Sequence, residues 1–140
     1  MVNLEQIENV SSELIAIFQV EFPPVPLEIM LQHPFPDMWE EVEISLASGS
    51  FMILNDPYRP RMSLARLLAR EIVGCNWGIE RGLLPYKDDK PALITLARAV
   101  TMPKSMVLKL DPAARVPGVM SDYFEVPIKD VIRRLEDLNL

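Results

Sequence analysis

Arg66 and Arg70 are the residues of this chain whose type and spacing most directly suggest chemistry. They lie four apart in SLARLLAREIVG, residues 63–74, so on a helix they stand one above the other on the same face. Two planar guanidinium forks on adjacent turns are suited to holding one carboxylate or phosphate between them. The alternative is a pair of solvated helix charges, whose repulsion costs only about 0.2–0.5 kcal/mol. Desolvated without partners, each charge would cost several kcal/mol. The strip carrying them is therefore wet, or it is neutralised by acids from elsewhere in the chain or by a bound anion.

Other reactive chemistry is scarce. His33 and Cys75 are the single imidazole and the single thiol, so one chain cannot assemble a cluster of zinc-preferring ligands. No Asp/Glu spacing resembles a calcium loop. There is no G-x-S-x-G elbow and no glycine-rich phosphate loop. No cofactor and no metal are expected. His33, in QHPF, reads as a capping or surface histidine, and Cys75, after Gly74, as a buried structural thiol. Glu40/Glu41 and Asp88/Asp89 could serve as acid and base, but adjacent surface acids and a helix N-cap explain them more simply.

The elements that must position Arg66 and Arg70 follow from periodicity. With residues about 100° apart, Met62, Leu64, Ala65, Leu68, Ala69, Ile72 and Val73 cover half of a helix spanning about 62–73. Before it, residues 4–20 carry Leu4, Ile7, Leu14, Ile17 and Phe18 at helical spacing, ending at FPPVP. LEIMLQ, 27–32, fits a short helix. EEVEISLASGSFMILND reads as a β-hairpin, Val42, Ile44 and Leu46 alternating on one strand and Phe51 to Leu54 returning. PYRPR breaks the chain ahead of the arginine helix, and GCNWG to GLLPY reads as a loop after it. A helix capped by Asp88/Asp89, with Pro91 in its first turn, runs to about Thr101. MPKSMVLKL adds a short helix or strand, and PAARVPGVMSDYF is helical at least after Pro117. IKDVIRRLEDLNL places Ile128, Val131, Ile132, Leu135 and Leu138 on one apolar face.

The chain has 140 residues and fits one domain, 1–140, with about half its residues hydrophobic. No apolar run reaches the roughly 18 residues of a membrane span, and MVNLEQIENV lacks a secretory layout. One cysteine forbids an internal disulfide and fits a reducing cytoplasm. Residues 1–60 hold ten acids and one base, Arg59, whereas residues 61–140 hold ten acids and thirteen bases. The acidic half either complements the basic half within the fold or faces a basic partner. The overall charge of −6 disfavours binding to a phosphate backbone.

In the order of these elements the chain resembles the ImmA/IrrE-type zinc metallopeptidase domain. The marks are FMILND with Asn55, the helix opening RMSLA at 61–65, LARAVTMP at 96–103, and the close FEVPIKDVIRRLEDLNL at 124–140. The resemblance covers roughly residues 10–140. It implies that the H-E-x-x-H segment has become Arg66-Leu67-Leu68-Ala69-Arg70. Both histidine ligands are then arginines and the general-base glutamate is Leu67. Counting back from Met102-Pro103, the third ligand falls at or near Lys90, or is simply absent. Three cations there would repel Zn²⁺. The resemblance further implies a former active-site cleft containing Arg66, Arg70 and Lys90, bounded by the hairpin and the 89–101 helix.

The expected fold is α+β, a small β-sheet packed with helices in a minimal zincin-like arrangement. The expected function is that of a catalytically inactive metallopeptidase-like domain kept as a protein-interaction or regulatory module. Its partner would be a regulatory protein, with no membrane role. Two rival readings stand beside it. One is an enzyme using the arginine-lined cleft for an anionic substrate, which would need an acid near the anion site. The other is a helix-turn-helix-like nucleic-acid binder built on the C-terminal helix pair, which would need a continuous positive surface there.

Overall fold

The computed structural model describes residues 2–43 and 56–140. Among them are α1 (Leu4–Ile17), α2 (Leu27–Gln32), α3 (Arg59–Gly74), α4 (Asn76–Glu80), α5 (Lys90–Thr101), α6 (Lys104–Lys109), α7 (Pro117–Phe124) and α8 (Ile128–Asp137). Two 3₁₀ turns, Leu84–Tyr86 and Pro112–Ala114, join them. No strand occurs among the described residues, so the expected α+β class with a small sheet is corrected to an all-helical fold. The physical reason lies in the core, where α3 is covered by α5, α2 and α4, and α1 and α8 close on α5. Helices thus supply the cover that a sheet was expected to give. Residues 44–55, which carry most of the expected hairpin and all of FMILND but Asp56, lie outside the described residues.

α3 is the central element, and the seven residues of its expected apolar face are the seven that it buries. It starts at Arg59, earlier than PYRPR suggested, because Pro60 occupies the first turn, where a missing N–H costs nothing. α5 begins after Asp89, whose carboxylate accepts the Ala92 N–H at 3.1 Å, and Pro91 sits in its first turn. It buries Ala92, Leu93, Leu96, Ala97, Ala99, Val100 and Thr101. α1 is capped by Asn3 and tied to α5 by Ser11, whose hydroxyl donates to the Ala99 carbonyl at 2.8 Å.

The GCNWG–GLLPY stretch is more ordered than the expected loop. α4 tucks Trp77 and Gly78 against α3 so closely that a Cβ on Gly78 would lie 1.8 Å from the Ile72 carbonyl oxygen. Glycine is required there by proximity. Arg81 follows, its guanidinium carbon 4.0 Å from the centroid of a Trp77 ring and its two ends on the Glu13 carboxylate at 2.8 and 2.7 Å. Tyr86 donates to the Gln6 side chain at 3.0 Å and accepts the Asn3 N–H at 3.1 Å, fastening this stretch to the start of α1.

α8 departs most from its sequence pattern. Ile128 is 52 % exposed and Ile132 43 %, while the helix buries Asp130, Val131 and Arg134. Val131, Leu135 and Leu138 of the apolar stripe pack inward, and the buried face is turned so that Ile128 and Ile132 lie outside it. Two charges are taken inside because partners wait for them. Arg134, fully buried, donates from Nη2 to Glu8 Oε1 at 2.7 Å, from Nη1 to Glu8 Oε2, and from Nε to the Met102 carbonyl at 3.0 Å. Arg98 of α5 donates from Nε to Asp130 Oδ1 at 2.9 Å. This polar junction joins α1, α5 and α8.

Candidate site between α3 and α5

The α3–α5 pairing decides where the notable cations go. The buried faces of the two helices fix the roll of each, which leaves Arg66 half-buried and Arg70 exposed on α3 and Lys90 exposed in the first turn of α5. All three line one depression of about 220 Å³, which among the described residues is otherwise walled by Leu93 and Ile94 of α5. Its described bounding elements are thus the two helices. The expected hairpin wall falls on residues outside the description.

Arg66 donates from Nη2 to the Ser63 hydroxyl at 3.3 Å, one turn back along α3. Among the described residues, no carboxylate comes within 4.0 Å of Arg66, Arg70 or Lys90. Two acids of the first half pair elsewhere, Glu8 with Arg134 and Glu13 with Arg81. Among the described residues, the depression is therefore a concentration of three like charges above two aliphatic side chains. Such an arrangement attracts an anion and gives it up to about thirteen N–H donors.

Arg70 also borders a wider hollow of about 730 Å³, where Glu40, Glu41, Glu71 and Lys87 accompany Cys75 and Asn76. A cationic pit thus adjoins a mixed, acid-rich trough, and Arg70 belongs to both. Leu67, at the position aligned with a general base, is a half-buried hydrophobe packed against the core and has no proton to exchange.

The remaining candidates take structural places. His33 closes α2 as its C-cap and is exposed. Cys75 ends α3 half-buried, not fully buried as expected, its thiol 3.2 Å from the Ile72 carbonyl oxygen. Asp89 is the N-cap of α5. No group of three His, Cys, Asp or Glu side chains that could hold a metal ion occurs among the described residues. No described helix is long and apolar enough to cross a membrane. On the outer side of α7 and α8, exposed Lys129 and Arg133 are interspersed with Asp122, Glu136 and the apolar Val119, Ile128 and Ile132.

Sequence reasoning missed the Glu8–Arg134 and Arg98–Asp130 pairs. A signal existed: Asp130 and Arg134 are four apart and flank Val131, so burying Val131 brings both inward. No family model matches this chain, nor does any curated protein or solved structure.

Proposed function

We propose that this chain is a catalytically inactive, metallopeptidase-like domain that acts as a protein-interaction or regulatory module through the Arg66–Arg70–Lys90 depression. The observation that carries the reading is that the three positions matched to metal ligands by the resemblance, two on α3 and one on α5, line a single depression. Their spacing suits three groups converging on one bound species. Their charge suits an anion and repels a metal cation. In this reading the module works in a reducing cytoplasm, where Cys75 remains a thiol, and its partner is a regulatory protein presenting an anionic group. An enzyme acting on an anionic substrate would need an acid or base in reach of that anion. Among the described residues Arg66, Arg70 and Lys90 have only Leu93 and Ile94 beside them in the depression.

Restoring the ligand set tests the metallopeptidase-like ancestry directly. The variant Arg66→His, Leu67→Glu, Arg70→His, Lys90→Glu is expected to bind zinc with measurable affinity by calorimetry, because the backbone already places these positions about one depression. The parent is expected to hold no stoichiometric zinc. A folded variant that binds zinc no better than the parent would overturn the match of positions 66, 70 and 90 to metal ligands. A parent carrying about one zinc per chain, with chelator-sensitive proteolysis, would overturn the inactive reading.

A further inference from the structure

Resting on the interaction-module reading above, we infer that the Arg66–Arg70–Lys90 depression recognises a phosphomonoester dianion, the phosphoryl group of a phosphorylated side chain on a partner protein. Charge distinguishes this ligand from the commoner carboxylate. A carboxylate brings one negative charge and two oxygens, which leaves three clustered cations under-neutralised. A phosphomonoester brings about −1.5 to −2 at neutral pH and three terminal oxygens. Two arginine forks grip such oxygens in a planar, bidentate manner, and a lysine adds a compact point charge. The Ser63 hydroxyl, already beside Arg66, is a further polar group at the rim.

The walls narrow the source of the phosphate. Leu93 and Ile94 offer neither hydrogen bonds nor an aromatic face, so among the described residues nothing in the depression reads or stacks a nucleobase. A nucleic-acid backbone is disfavoured on charge. Each phosphodiester carries a single charge, and a strand leaving the pit past Arg70 would run along Glu40, Glu41 and Glu71. The same acids favour a different neighbour: a basic side chain next to the phosphorylated residue. The two adjoining hollows therefore select a short segment in which a phosphorylated residue stands beside Lys or Arg.

The test uses the full chain, isotope-labelled, in NMR titrations at low ionic strength. The probes are inorganic phosphate, sulfate, acetate, a lysine-flanked phosphoserine peptide, the same peptide with glutamate for phosphoserine, and a single-stranded oligonucleotide. Phosphate and the phosphopeptide are expected to shift the amides of residues 63–70 and 90–94. Phosphopeptide affinity should rise several-fold from pH 5 to pH 7.5, as the second proton of its phosphoryl group leaves with a pKa of about 6, while sulfate affinity stays level. Arg70→Ala with Lys90→Ala should weaken phosphopeptide binding by at least about tenfold. Both side chains are exposed, and unshifted core amides would verify the fold. Lys90→Gln alone should give a smaller loss of the same kind. Acetate or the glutamate peptide binding as tightly as its phosphorylated counterpart would overturn phosphoryl recognition while leaving an anion-binding module intact. An oligonucleotide that outcompetes the phosphopeptide would overturn the assignment in favour of nucleic acid. If no probe binds, or if the double variant binds like the parent, the depression is a set of solvated charges and the site itself falls.

Discussion

Replacing Arg134 by methionine removes the cation from the polar junction while keeping most of its aliphatic volume. Three hydrogen bonds are lost: two to the Glu8 carboxylate and one to the Met102 carbonyl, the last at 3.0 Å. The arginine side chain is fully buried and that of Glu8 is 15 % exposed, so water can compensate Glu8 only partly. Removing one member of a buried pair costs about 3–5 kcal/mol, because the remaining charge stays desolvated. At roughly 0.05–0.15 kcal/mol per residue, a domain of this length has a total stability on the order of 7–20 kcal/mol, so the loss is a large share of it. Urea unfolding should show a midpoint lowered accordingly, with little change in slope. The double change Glu8→Met with Arg134→Met should cost less than Arg134→Met alone, since no orphan charge remains. A loss below about 1 kcal/mol for Arg134→Met would refute the claim that this pair locks α8 against α1 and α5.

Three further outcomes follow from named contacts. Gly78→Ala should destabilise by about 1–3 kcal/mol or more in the same assay, because the new methyl meets the Ile72 carbonyl at 1.8 Å and α4 must move off α3. A variant melting with the parent would show that this approach is not tight. Asp137 is held above its ordinary value of 3.8, chiefly by burial, which outweighs the favourable charges of Arg134, Arg98 and Arg133. Its Oδ2 is buried without a partner. A raised folded-state value means the protonated form is favoured by folding. The contribution is complete below 3.8 and is lost as pH rises through the folded value. Asp137→Asn should therefore raise the urea midpoint relative to the parent more at pH 7 than at pH 3, and a gain confined to pH 3 would reverse the sign. Glu13 behaves oppositely: the Arg81 hydrogen bonds hold its carboxyl below 4.5, so this contribution is present above 4.5 and lost as pH falls through the lowered value. Arg81→Ala should abolish that acid-side loss, and an unchanged NMR titration of Glu13 would count against it.

The helices around the site were legible because their signals are local. α3 announced its buried face by period alone, and α5 announced its start through Asp89 and Pro91. The convergence of Lys90 with Arg66 and Arg70 is a tertiary fact, set by how α3 and α5 pack, and only the resemblance pointed to it. α8 was legible in part: Val131, Leu135 and Leu138 of its apolar stripe pack inward, while Glu8 and the Met102 carbonyl receive Arg134 on the buried side and Ile128 and Ile132 are left outside. Those partners lie far away in the chain, where periodicity has no reach. The α+β expectation rested on alternation in residues 42–54, a pattern that short apolar runs share with other structure. The packing of α3 against three other helices was not visible from that alternation.

On the proposed function, Arg66 and Arg70 are kept for an anion from outside the chain. Thermal melting of the parent and of Arg66→Ala with Arg70→Ala, each with and without added phosphate, tests it most directly. Neither arginine pairs with a carboxylate among the described residues, so the two proteins should melt together without phosphate. Added phosphate should then raise Tm for the parent only, by the linkage of binding to the folded state. A double variant that melts well below the parent without phosphate would show that the arginines serve the fold, and one that gains as much as the parent from phosphate would show that the anion binds elsewhere.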